Sequence, residues 1–286
     1  MCDPGGTASP LSGRAAHRRR PGNPRRHPVT HAGRGSRGFS PGTCSGIGLV
    51  SGTGSRRLTS GRKRSLSSRR WLERQLNDPY VLEAKKRGYR SRAAFKLIEL
   101  DDRFHLLRRG ARVVDLGAAP GGWTQVVVDR TGAGKASTGK TGGGEVVAVD
   151  ISPMLPVDGA QVLELDAFEP DAPARIRSVL AGPVDAVLSD MAPPSSGHAG
   201  ADHLRIMGLA EAALAFAADV LAPGGSFVCK VWQGGAESGL LAEMKRMFRS
   251  VRHAKPKASR PESAELYVVA TGFRGTVGAD PAEERD

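Results

Sequence analysis

Four acids and one lysine share one kind of position in this sequence, at or near the end of a short run rich in β-branched residues. Asp115 lies in Arg112-Val-Val-Asp-Leu-Gly117, Asp150 ends Glu145-Val-Val-Ala-Val-Asp150, and Asp166 ends Gln161-Val-Leu-Glu-Leu-Asp166. Asp190 ends Val184-Asp-Ala-Val-Leu-Ser-Asp190, and Lys230 stands in Ser226-Phe-Val-Cys-Lys-Val-Trp232. A single strand-terminal aspartate is ordinarily a helix cap or a solvated turn. Four in successive runs, with a lysine in a fifth, point instead to a shared ligand, because open α/β sheets bind ligands at the carboxyl edge of their strands.

The first run passes into Gly117-Ala-Ala-Pro-Gly121-Gly122-Trp123, a turn whose glycines let the backbone approach a ligand and take positive φ. Asp150, at the end of the next run, is placed to hold ribose hydroxyls, so a nucleotide-like cofactor is implied. The dinucleotide fingerprint needs Gly-x-Gly-x-x-Gly, which Gly117-Ala-Ala-Pro does not supply, and the turn contains no lysine for a phosphate. Adenosine without a pyrophosphate, as in S-adenosylmethionine, fits better than NAD. A second glycine-rich segment, Gly134-Lys-Ala-Ser-Thr-Gly139-Lys140-Thr141, matches the P-loop letter for letter. A P-loop needs a strand before it and a helix after it, and here the order is reversed. Residues 131–144 therefore read as a flexible inserted loop.

These residues need a scaffold whose strands end together. Trp71, Leu72, Leu76, Tyr80 and Val81 recur at helical intervals from Ser67 onward, and Ser91 to about Phe104 forms a second helical segment with Ser91 as its N-cap. The five runs above and a sixth, Ala264-Glu-Leu-Tyr-Val-Val-Ala270, read as strands. Helix-like segments at Thr124–Arg130, Ala174–Leu180, His203–Leu221 and Gly239–Phe248 separate most of them. Alternating strand and helix predicts a parallel α/β sheet covered on both faces.

Charge divides the chain. Of 286 residues, 42 are Lys or Arg and 29 Asp or Glu, for a formal net charge of +13. Residues 1–70 hold 15 of the bases and a single acid, Asp3, so the remaining 216 residues are close to neutral at −1. The head, residues 1–66, is rich in Arg, Gly, Pro and Ser with little to bury, and is expected to be disordered. It reads as a passive tail, an RNA-binding arm or a targeting segment. Residues 276–286 are expected to be a flexible acidic tail. Cys2, Cys44 and Cys229 show no CxxC spacing, so neither a disulfide framework nor a metal site is expected. No apolar stretch approaches a membrane span and no secretory signal is seen, which leaves a cytoplasmic protein as the expectation. Within the body, bases gather at Lys85–Lys96 and at Lys245–Arg260, the second with seven Lys/Arg and no acid. Two basic segments flanking an acidic middle suggest a phosphate-facing rim around a cofactor pocket. For Lys85 to Arg87 a solvated helix face is the simpler reading.

Taken together, Arg90-Ser-Arg-Ala-Ala-Phe-Lys96, Asp115-Leu-Gly-Ala-Ala-Pro-Gly-Gly-Trp123, Ser189-Asp-Met-Ala-Pro193 and Leu221-Ala-Pro-Gly-Gly-Ser-Phe-Val-Cys-Lys-Val231 closely resemble the FtsJ-type ribosomal RNA large-subunit methyltransferases, the 23S rRNA uridine-2′-O-methyltransferase family. The resemblance covers about Ser67 to Gly275; it leaves out the head, and the 131–144 loop is longer than the family's connection. It implies a Rossmann-like S-adenosylmethionine-dependent methyltransferase fold, with a mostly parallel seven-stranded sheet and helices on both faces, over 67–275. It further implies a catalytic Lys-Asp-Lys-Glu tetrad at Lys96, Asp190, Lys230 and Glu265, with Lys230 as proton acceptor, and cofactor contacts at Gly121, Trp123, Asp150, Asp166 and Asp190. The implied partner is 23S rRNA within the large ribosomal subunit, met by a monomer. Another RNA, a tRNA or an organellar rRNA, is the alternative substrate. An amino-methyltransferase acting on bases is disfavoured because Asp190-Met-Ala-Pro-Pro-Ser195 has no aromatic residue after its prolines. A non-catalytic ribosome-assembly factor would have no need of Lys230 beside Asp190.

Overall fold

Seven strands form one sheet in the order β3-β2-β1-β4-β5-β7-β6 in a computed structural model that describes residues 73, 75–135, 143–233 and 238–275. The basic head, the heart of the 131–144 loop and the acidic tail lie outside the described residues. The strands are β1 (Arg112–Leu116), β2 (Glu145–Asp150), β3 (Gln161–Glu164), β4 (Val184–Ser189), β5 (Leu221–Trp232), β6 (Phe248–Ala254) and β7 (Glu265–Phe273). Pairs β3-β2, β2-β1, β1-β4 and β4-β5 are parallel; β7 runs antiparallel to both β5 and β6. The helices are α1 (Pro79–Arg87), α2 (Ala94–Phe104), α3 (Gly122–Thr131), α4 (Ala172–Ser178), α5 (Ala199–Val220) and α6 (Ser238–Met247).

The apolar runs are nearly continuous because both sheet faces are covered. Val114, Leu116, Val147, Val187, Phe227 and Cys229 pack on one side with Ile176 of α4, Leu214 of α5 and Met244 of α6. Val113, Val146, Leu188, Val228, Tyr267 and Val269 pack on the other with Leu97 and Leu100 of α2 and Val126 of α3. Successive residues thus alternate between two cores, as a pleated strand requires.

That alternation fixes the site. Lys230 shares its face with Val228, and Glu265 shares its face with Tyr267 and Val269, so both point toward the side covered by α2, the helix that carries Lys96. Residues 75–77 are already helical, and Asp78 breaks them from α1 as its N-cap: its carboxylate accepts from Tyr80 N and Val81 N, while Pro79 starts the helix and Gly88 ends it at φ 76°.

Two features differ from the sequence reading. Ser91 does not cap α2: the N-cap is Ala93, and the Ser91 carbonyl accepts from Ala94 N. Its hydroxyl packs against Gly122, where an added Cβ would stand 2.2 Å from Oγ. Also, β6 arises from Phe-Arg-Ser-Val-Arg-His-Ala, part of the basic segment 245–260 and not one of the six runs. As an edge strand bonded only to β7 it tolerates charge, so it lacks the apolar pattern of its neighbours.

Candidate active site

The strands end beside an open cavity of about 830 Å³ lined by Gly117, Asp150, Asp166, Phe168, Asp190 and Met191, among others. Gly117 takes φ 72°, and a Cβ there would lie 2.5 Å from the Met191 side chain, so the turns after β1 and β4 meet only because this residue is glycine. Asp150 accepts from Ala119 N at 2.8 Å and from Ser152 N at 2.7 Å, which aims its carboxylate at the cavity rim. Asp166 accepts from Phe168 N through Oδ1 alone among the described residues. A ligand with hydroxyls near Asp150 and a flat ring near Phe168 and Ile151 suits this lining, and the glycine cradle leaves it room.

Gly121 and Trp123 take other places. Gly121, at φ 105°, turns the chain into α3, and a Cβ on it would press on Arg90. Trp123 is buried, donates its indole N–H to Ala93 O at 2.8 Å and lies 5.7 Å from the Tyr267 ring. The indole therefore buttresses α2 against β7, and neither residue is among those lining the cavity. Asp115 also turns inward. It is fully buried, accepts from Thr124 Oγ1 at 2.7 Å, and desolvation pushes its pKa up to about 7, opposed by the Thr124 hydrogen bond and reinforced by the charges of Asp190 and Asp150.

At the cavity wall formed by Asp190, four side chains from three strands' ends and one helix converge. Lys230 Nζ lies 2.7 Å from Asp190 Oδ1, 2.8 Å from the Asp190 carbonyl oxygen and 3.8 Å from Glu265 Oε2. Lys96 Nζ lies 2.7 Å from the same Glu265 Oε2. The four residues expected from the sequence thus form one cluster, two hydrogen-bonded ion pairs joined by the longer Lys230–Glu265 contact. Burial pushes the Asp190 carboxyl upward, but the Lys230 and Lys96 cations and the hydrogen bonds from Lys230 and Tyr267 outweigh it and hold it below the usual carboxylate range.

Two members of the cluster escaped the sequence reading. Tyr267 donates its hydroxyl to Asp190 Oδ1 at 2.6 Å and accepts from Lys96 Nζ at 3.2 Å. Burial, then the charges of Asp190 and Glu265, push its pKa well above 10, so it stays a phenol and a donor. Its signal was the strand period: two residues after Glu265, it must share that residue's face. Ser259, buried on the β6–β7 loop, donates to Glu265 Oε1 at 2.7 Å. That loop is latched onto α2, since Glu99 accepts from Lys257 N and Ala258 N, and Arg92 donates to the Ala258 carbonyl and pairs with Asp78.

The basic segment 85–96 is accordingly not one solvated face. Arg90 donates to the carbonyls of Pro120, Leu155 and Pro156, Arg92 is the latch, and Arg87 pairs with Glu83. Lys85 and Lys86 are left exposed without a carboxylate partner among the described residues.

A doubly wound sheet with this strand order, a glycine turn after β1, acids at the ends of β2 and β3, and a polar cluster after β4 defines the Rossmann-like class of methyltransferases. Residues 89–273 match the model of the FtsJ-like methyltransferase family. Over 241 residues the chain is 58% identical to ribosomal RNA large subunit methyltransferase E of Paramagnetospirillum magneticum, covering 83% of this chain and 96% of that protein. It is 55% identical over 253 residues to the Rhodospirillum rubrum protein of the same name, covering 87% and 94%. The crystal structure of a Plasmodium falciparum protein described as a ribosomal RNA methyltransferase superposes with a TM-score of 0.57 at 29% identity, covering 66% of this chain and all of that one. The chain belongs to the FtsJ-like methyltransferase family.

Proposed function

We propose that the protein methylates a ribose 2′-hydroxyl of large-subunit ribosomal RNA, a uridine of 23S rRNA within the 50S subunit, with S-adenosylmethionine as donor. The observation that carries this reading is the Lys96-Asp190-Lys230-Glu265 cluster, which meets a nucleoside-sized cavity through Asp190. The relatives' names supply the RNA. The bound cofactor would supply a methyl group made electrophilic by its sulfonium. Asp150 would hold the ribose hydroxyls, Asp166 and Phe168 the adenine, and the charge of Asp190 would favour the sulfonium.

A ribose hydroxyl is a weak acid, so its attack requires alignment and a proton acceptor. In its neutral form Lys230 accepts the proton at Nζ and becomes the ammonium that Asp190 Oδ1 and the Asp190 carbonyl are already placed to hold. Lys96, fixed by Glu265 and Tyr267, orients the ribose oxygen toward the cavity. The site works as a monomer in the cytoplasm in this reading; no helix among the described residues is long and apolar enough to cross a membrane.

Lys230→Ala is expected to lower methyl transfer to 50S particles by about a hundredfold or more, the usual scale for losing a general base, while cofactor affinity stays within about twofold. The check is mass-spectrometric mapping of ribose methylation together with calorimetric cofactor titration. A variant with wild-type turnover, or a methyl group found on a base, would refute the assignment.

A further inference from the structure

Away from the catalytic cluster, on the same sheet face, a second concavity of about 250 Å³ opens where the C-terminal end of α2 meets the β6–β7 ladder. Arg103 and Phe104 line it from the helix, Ser250 and Arg252 from β6, and Val269 and Thr271 from β7. Its two hydroxyl residues are cross-strand partners, as Ser250 pairs with Thr271, and Arg252 pairs with Val269 one step along.

No carboxylate lines this concavity, although several arginines elsewhere among the described residues are matched to acids. Arg87, Arg92, Arg108, Arg112, Arg130 and Arg175 each pair with an acid. Asp101 and Asp102, the acids beside Arg103 in sequence, are both turned to Arg130. Arg103 instead lies over the Phe104 ring, 4.9 Å from its centroid. Two exposed arginines thus line one hollow together with two hydroxyl residues, Phe104 and Val269, and no acid. Charge on an edge strand protects against edge-to-edge pairing. That accounts for Arg252 alone, since Arg103 belongs to a helix and does nothing for the strand edge.

We propose that this concavity seats a phosphodiester group of the bound RNA, held by the guanidinium groups of Arg103 and Arg252 and by the hydroxyls of Ser250 and Thr271. Guanidinium forks match phosphate oxygens, and phosphate contacts of this kind set the register of a nucleic acid on a protein without reading its bases. Seven residues separate Lys96 from Arg103 along α2, about 10 Å at the rise of a helix. The RNA would therefore leave the catalytic centre along α2 and be gripped a second time at the β6 edge. The inference rests on RNA being the substrate, as proposed above.

The test is salt-dependent binding of a fluorescein-labelled hairpin RNA, read by anisotropy, for the full chain and its Arg103→Ala/Arg252→Ala variant. Both side chains are exposed, so the thermal midpoint should be retained; Arg252→Glu provides an independent variant with a single change. Loss of one phosphate contact should lower the magnitude of the log K against log salt slope by about 0.7 to 0.9 and weaken binding on the order of tenfold at low salt. Kd for the cofactor should not move. An unchanged slope and affinity in both variants would overturn the proposal. Inorganic phosphate at constant ionic strength forms the second arm: variants that lose phosphate binding but keep the RNA slope would show a small-anion site and overturn it equally. Because the slope is read without turnover, failure of the wild-type protein to methylate 50S particles would count against the proposed reaction and leave this site to be judged by binding.

Discussion

The two oxygens of Glu265 have separate partners. Oε1 accepts from Ser259 at 2.7 Å, while Oε2 faces Lys96 at 2.7 Å and Lys230 at 3.8 Å. The serine therefore decides which way the carboxylate is rotated, and through it where both lysines rest. Ser259→Ala leaves Oε1 buried without its donor; hydrogen bonds to charged groups contribute about 1.5 to 3 kcal/mol, so kcat should drop roughly tenfold or more. Ser259 does not line the cavity, so the KM for the cofactor should be unchanged, and Ser259→Thr, which keeps the hydroxyl, should recover most of kcat. A rise in KM alongside the fall in kcat, or no recovery with threonine, would make Ser259 a packing residue only.

At the scale of elements, β1 and α3 meet through one buried polar contact, Asp115 with Thr124, and that contact links stability to pH. The native pKa near 7 lies above the ordinary 3.8, so the folded protein binds the extra proton between those values. Its contribution is full below about pH 4 and is lost as pH rises through about 7. Relative to Asp115→Asn, which cannot titrate, the wild-type protein should lose on the order of 2 to 3 kcal/mol of stability between pH 5 and pH 9. Denaturant titrations of the pair at both pH values measure it, and a constant difference would show that Asp115 is ionised throughout. The same corner shows what sequence can reveal. Asp115, Asp150, Asp166 and Asp190 were all visible as strand-end acids, because buried parallel strands write themselves as apolar runs. That Asp115 alone turns into the protein was not visible, since it depends on which face α3 covers. Strand β6 was hidden by its charges. Tyr267 was hidden because its partners come from distant elements: Lys96 and Tyr267 are 171 residues apart and meet only once the sheet exists. Ser259 was hidden although Glu265 is close in sequence, because the fold of the β6–β7 loop and no periodic spacing brings the two together. The resemblance supplied Glu265, for which spacing alone offered no argument.

For the whole molecule, the net charge of +13 is misleading about where RNA is held. Residues 1–70 account for the entire excess, whereas the seven-stranded sheet, both cores and the Lys96-Asp190-Lys230-Glu265 cluster are built from residues 78 onward. Within that body, Lys85, Lys86, Lys257, Arg103 and Arg252 are exposed around α1, α2 and the β6–β7 region, on the side that also carries Lys96. Acids elsewhere balance them in the total but not in position, so a nearly neutral domain still presents a basic face. We propose on this ground that the head is dispensable for catalysis. A protein lacking residues 1–66 should keep its thermal midpoint within about 2 °C, a change of no more than about 1 kcal/mol for a domain of this size. It should keep its kcat on 50S particles, and it should still bind RNA with a salt slope of at least 2, corresponding to three or so phosphates. Any further steepness in the full chain measures what the head adds as an arm. If the truncated protein instead lost RNA binding altogether while remaining folded, the head would be the principal RNA contact, and the basic face of the domain would have to be explained by edge protection and solubility alone.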